Sequence, residues 1–186
     1  MEDQQTASKP RITASMITAI AAGIVSLSAL TVSIYEAYLM REQQAASVLP
    51  IIDFWAAYDP GKGYSLHLAN KGLGPAFVKH ISVQVDNAFG KHWTDALHKI
   101  TGRQVAHNES ALMGSVLAPG ETGELVGIGN PEDGTAVWGQ AQRVTLRVCY
   151  CSVFQDCWVT TVKDLNTGKP FSEAIEACPS DDLVVF

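Results

Sequence analysis

The stretch Gly63–Val85 reads GYSLHLANKGLGPAFVKHISVQV, and its first half alternates with a period of two. Tyr64, Leu66 and Leu68 fall on one face, with Ser65, His67 and Ala69 on the other. That is the pattern of a half-buried strand. Asn70-Lys71-Gly72-Leu73-Gly74-Pro75 then supplies turn chemistry. Beyond it Phe77, Ile81, Val83 and Val85 alternate with Val78, His80, Ser82 and Gln84. Lys79 falls in phase with the apolar set, which predicts a bulge or an edge position there.

The same alternation returns downstream. Val144, Leu146, Val148 and Tyr150 interleave with Thr145, Arg147, Cys149 and Cys151, and Trp158, Thr160 and Val162 follow a short connection. Ile51–Trp55 and Leu125–Ile128 are weaker strand candidates, Pro119-Gly120-Glu121 is a further turn, and Trp93–Ile100 reads as a short helix. Hairpins spaced in this way predict a mainly β domain, an antiparallel sandwich rather than βαβ units. About six or more strands in two layers are expected. Leu66, Leu68, Ile81, Val83, Leu146, Val148 and Trp158 are the expected core.

Upstream the character changes. From Ile12 to Tyr35 the chain reads ITASMITAIAAGIVSLSALTVSIY without a charge. About 20 apolar residues suffice for a helix to cross a bilayer core of about 30 Å. Tyr35 and Tyr38 stand where interfacial aromatics belong. A cleaved signal peptide has a shorter apolar region, about 7–15 residues, and a small-residue cleavage site. The expectation is therefore an uncleaved anchor, giving a tail over 1–11, a transmembrane helix with a polar helical extension over 12–48, and a β-sandwich domain over 49–186. Lys9 and Arg11 precede the run and only Arg41 closely follows it. The positive-inside rule then places the N-terminus in the cytoplasm and the domain in the periplasm or another extracytoplasmic space. Ser15, Ala19 and Gly23, and likewise Ala22 and Ser26, recur at four-residue spacing, which permits close approach of a second helix.

The net charge is −6, from 13 basic and 19 acidic residues. After residue 41 the balance is ten basic against sixteen acidic residues, again −6 (10 − 16). Such a domain lacks the basic footprint that binds phosphate backbones, so nucleic acid is not an expected partner. The expected partners are membrane lipid along the anchor and another membrane protein or a second copy.

The order of these features resembles uncharacterised bacterial single-pass membrane proteins that carry an immunoglobulin-like β-sandwich. Asn70, Gly72, Gly74, Pro75 and Ala76 match their strand-turn-strand signature, and Ala118-Pro119-Gly120-Glu121 resembles their later turn. The resemblance implies a fold. It implies no active site.

Four cysteines occur, Cys149, Cys151, Cys157 and Cys178. If Tyr150 faces Trp158 across a hairpin, Cys151 faces Cys157 directly, within reach of a disulfide. Cys149 shares that face two residues along, so Cys151–Cys157 with Cys149–Cys178 is the first choice of three connectivities. The alternatives are buried thiols or a zinc site, although C-x-C fits structural zinc less well than C-x(2–4)-C. A redox-active role has neither a C-x-x-C motif nor an evident helix N-terminus behind it.

His67 and His80 lie on the non-core faces of strands flanking the Asn70–Pro75 turn, and one register would set them opposite each other. His92, His98 and His107 follow no ligand spacing. Asp53, Asp59, Asp156, Glu132 and Asp133 read as surface or turn carboxylates. Trp138 is the tryptophan expected to be exposed, the other three supplying core or interface. No catalytic residue and no cofactor site is assigned. The leading expectation is a non-enzymatic accessory or interaction protein, with a membrane-tethered hydrolase or metal enzyme and an envelope sensor as alternatives.

Overall fold

The structure is a computed structural model and describes residues 13–179. The 1–11 tail with Lys9 and Arg11, the first residue of the apolar run, Ile12, and residues 180–186 lie outside the described residues. The chain divides into two units at Gln44/Ala45.

The first unit is built on α1 (Ala14–Ser47), none of whose side chains is buried. It is long and apolar enough to cross a membrane. Its charge-free portion, Ala14–Tyr35, measures about 33 Å at 1.5 Å per residue. Four of the hydroxyls within it are satisfied by the helix itself. Thr18 donates to the carbonyls of Ala14 and Ser15, Ser26 to Ala22, Ser28 to Ile24 and Thr31 to Ser28. Internal satisfaction is what hydrocarbon demands of polar groups. Three residues after the end of α1 comes Pro50, which disfavours helical backbone at the residue before it.

The second unit contains β1 (Ile52–Asp59), β2 (Gly63–Asn70), β3 (Ala76–Val85), β4 (Ala88–Phe89), α2 (Trp93–Thr101), β5 (Asn108–Glu109), β6 (Val116–Leu117), β7 (Thr122–Ile128), α3 (Pro131–Trp138), β8 (Val144–Cys151), β9 (Cys157–Lys163) and β10 (Phe171–Ile175). Two antiparallel sheets form. One has the order β1-β2-β7-β5, and the other β10-β9-β8-β3-β4 with β6 also on β3. With α1 counted, the chain is mixed in helix and strand rather than mainly β.

Both sheets feed one hydrophobic core. Leu66, Leu68, Ile81, Val83, Leu146 and Val148 are all fully buried. Trp158 is a correction. It lies only partly buried against that core, near the start of β9, with its ring 5.9 Å from that of Tyr150. Val78 is another. The ladder between β3 and β8 shifts between Val78 and His80. Residues on the two sides of the bulge therefore point inward with opposite parity, and Val78 is buried while Phe77 is not fully so.

The turn after β2 explains its own glycines. Lys71 N–H donates to Ile51 O and Leu73 N–H to Leu49 O, so Leu49–Ile51 runs along the turn. A Cβ on Gly72 would stand 2.3 Å from Leu49 O, and one on Gly74 would stand 1.8 Å from Val48 O. Only glycine admits so close a backbone. Asn70, fully buried, ties the junction with its side chain. Its Oδ1 accepts from Ile51 N–H and Gly72 N–H, and its Nδ2 donates to Gly74 O and Leu117 O.

Trp138, expected at the surface, is partly buried at the end of α3 and stacks on Tyr58 with ring centroids 5.0 Å apart. The helix follows from Asn130-Pro131-Glu132-Asp133. Asn130 caps it by accepting from Glu132 N–H and Asp133 N–H, and Pro131 occupies the first turn. Near it, burial raises the Tyr64 phenol pKa well above its ordinary range, with the charge of Asp164 adding to the effect. At the other end of β3, Arg143 grips both oxygens of Asp86 and holds that carboxyl below its usual pKa.

Candidate functional site

The four cysteines converge at one end of the second sheet. Val144–Cys151 and Cys157–Lys163 form a hairpin in which Tyr150 pairs with Trp158 and Cys151 with Cys157. Ser152 N–H donates to Asp156 O, and Gln155 takes a left-handed φ of 66° to close the turn. A left-handed residue ending a three-residue loop matches the twist of the hairpin. Since Ser152 and Asp156 exchange a ladder bond, Cys151 and Cys157 occupy the next, non-hydrogen-bonded position, where Cα atoms come closest. Their Cα atoms are 4.0 Å apart and their sulfurs are bonded. Cys149 lies two residues along the same face and is bonded to Cys178, with Cα atoms 5.7 Å apart.

The two cystines touch. Cys151 Sγ lies 3.8 Å from Cys178 Sγ. Cys149, Cys151 and Cys157 are buried, whereas Cys178 is only partly so. The sulfurs of Cys151, Cys157 and Cys178 all lie within 4.8 Å of one another, a spacing compatible with a metal. Every one of them is in a disulfide, and zinc is held by thiolate. In this state the set offers no thiolate ligand.

The histidine pair does not form. His67 is on β2 and His80 on β3, which belong to different sheets, because the Asn70–Pro75 turn carries the chain from one sheet to the other. His80 instead pairs along the ladder with Cys149. His67 stacks on Trp55 with centroids 5.2 Å apart and planes 18° from parallel. Ser65 Oγ, 2.8 Å from Nε2, holds the imidazole there. Glu124 is the ladder partner of His67 at a register shift in β7. Beside this platform is an open cleft of about 460 Å³ lined in part by Tyr58, Lys62, Ser65, Asn108, Glu124 and Gly127. The platform was not legible beforehand, because Trp55 and His67 meet only through the pairing of β1 with β2.

The remaining candidates disperse. His92 precedes α2 without capping it by its side chain, His98 lies in the last turn of α2, and His107 Nδ1 donates to Val105 O. Asp53 pairs with Lys71, Asp59 with Lys62 and Asp133 with Arg103. In α1, Ser15, Ala19, Gly23, Ala22 and Ser26 are all exposed, and a Cβ on Gly23 would meet nothing within 4 Å. The small residues thus leave the helix surface open at those positions. Comparison of the chain with protein-family models, with curated proteins and with solved structures finds no match.

Proposed function

We propose that this chain is a single-pass membrane protein whose α1 crosses the bilayer, and whose β domain acts outside the cytoplasm as a non-enzymatic accessory or interaction module. The domain is read as an immunoglobulin-like sandwich. In support, β1-β2-β7-β5 follows the A-B-E-D order of that fold, and β4-β3-β8-β9 follows C′-C-F-G, with β10 added beyond the last strand. Two disulfides favour an oxidising compartment. The placement of Lys9 and Arg11 before the helix favours the same orientation.

The observation that carries the interaction reading is Trp55. It sits on β1, whose only ladder partner among the described residues is β2, and it is 38% exposed. His67 and Ser65 fix its ring, so little side-chain freedom is lost on contact. Rigid, central tryptophans are frequent anchors of protein interfaces. The partner is another membrane protein or a second copy, which the anchor holds in the same plane. The hydrolase reading draws on the Ser65–His67 contact, but no carboxylate hydrogen-bonds His67 Nδ1 among the described residues. The contact then serves to orient the ring.

Purification of the full chain from its native membrane in mild detergent is expected to yield a stable complex with another membrane protein or with itself. Trp55→Ala should weaken that complex by about tenfold or more. Recovery of free monomer alone would overturn the reading.

A further inference from the structure

The contact between the two cystines goes beyond an architectural role. We infer that Cys149, Cys151, Cys157 and Cys178 form a thiol–disulfide exchange site that accepts two electrons from a low-molecular-weight thiol and settles in a third pairing, Cys151–Cys178.

The ordering of the sulfurs sets the path. Cys178 is the least buried of the four, so an incoming thiolate meets its sulfur first. Attack there forms a mixed disulfide on Cys178 and expels Cys149 as a thiolate. A second thiolate attacks the outer sulfur of the mixed disulfide, releasing the small-molecule disulfide and leaving Cys178 as a thiolate. In the two-cystine state that sulfur lies 3.8 Å from Cys151 Sγ, at van der Waals contact. It attacks Cys151, the Cys151–Cys178 bond forms, the Cys151–Cys157 bond breaks, and Cys157 leaves as a thiolate. Two thiolates and two protein cystines thus become one small-molecule disulfide, one protein cystine, and thiolates at Cys149 and Cys157. Electrons and sulfurs balance.

Exchange of this kind does not require a depressed thiol pKa. Contact within one chain replaces a bimolecular encounter with an intramolecular one, which raises the effective concentration of the attacking group greatly. The fold also leaves Cys178 able to move. It follows β10, a strand with no buried residue that, among the described residues, is held to the sheet only along β9. Cys151 and Cys157, by contrast, are fixed by the hairpin ladder.

Cys149→Ser in the full-length protein tests the inference without any reductant, because it leaves Cys178 as a free thiol beside Cys151–Cys157. The protein is purified in detergent, alkylated and digested without reduction. Two linked peptides are expected, Cys151–Cys157 and Cys151–Cys178, in a ratio independent of protein concentration. Only Cys151–Cys157, with Cys178 wholly alkylated, would overturn the inference. A ratio that falls on dilution would do so too. If the variant does not fold, partial reduction of the unaltered protein with reduced glutathione decides instead. Cys151–Cys178 with alkylated Cys149 and Cys157 is then expected, and glutathione retained on Cys178 with Cys151–Cys157 intact would contradict it.

Discussion

Asn70→Ala is expected to lower the unfolding free energy of the β domain by about 4 kcal/mol, among the largest single-residue effects in the chain. The side chain is fully buried and uses all four of its hydrogen-bonding positions. Alanine would leave two N–H groups and two carbonyls without partners at the junction of β1, β2, β3 and β6. Each such group, where buried, costs about 1–3 kcal/mol. Against a total stability of about 5–15 kcal/mol, the loss removes a large share. Asn70→Asp is no rescue, since it keeps the acceptor and turns a negative charge toward Gly74 O and Leu117 O. Lys71→Ala, which removes a surface ion pair with Asp53, should cost about 1 kcal/mol or less and serves as the control. Urea unfolding of the full chain in detergent measures all three. Equal midpoints for Asn70→Ala and Lys71→Ala would contradict the hub.

The second large effect concerns which cystine matters more. Cys149–Cys178 closes a separation of 29 residues and Cys151–Cys157 a separation of 6. The chain-entropy relation gives about 3.6 kcal/mol for the longer loop and about 2.2 for the shorter. Replacing Cys149 and Cys178 together by serine should therefore destabilise more than replacing Cys151 and Cys157 together. The short bridge mainly fixes register, because a slip by one residue would turn Val148 and Tyr150 out of the core. Thermal unfolding of the two double variants compares them directly. The reverse order would show that enthalpy at the hairpin outweighs loop closure.

The strands that build the core were legible because they are half-buried, and period-two burial leaves its mark on sequence. β10 left none. Its residues are exposed or nearly so on both faces, and FSEAI carries no alternation to read. α3 is different, since Asn130-Pro131-Glu132-Asp133 is a readable helix start, a capping asparagine followed by proline in the first turn. The bulge at Lys79 was expected from its phase, but its consequence for Val78 needs the ladder with β8 to be known. Pairing between His67 and His80 failed for a related reason. Local sequence signals a turn after Asn70 but not that the turn changes sheets. The facing of Cys151 and Cys157 was open to deduction because a short connection between two alternating strands limits their register.

The proposed function requires an anchored domain that matures in an oxidising space. Thiol trapping in the native membrane tests this most directly. Intact cells are treated with a membrane-permeant alkylating agent, the protein is isolated, and its unreduced digest is mapped by mass spectrometry. The membrane fraction is expected to hold the protein with all four cysteines protected and with Cys149–Cys178 and Cys151–Cys157 linked peptides predominating. Protein in which all four cysteines are alkylated would place the domain in a reducing compartment and contradict the proposed function.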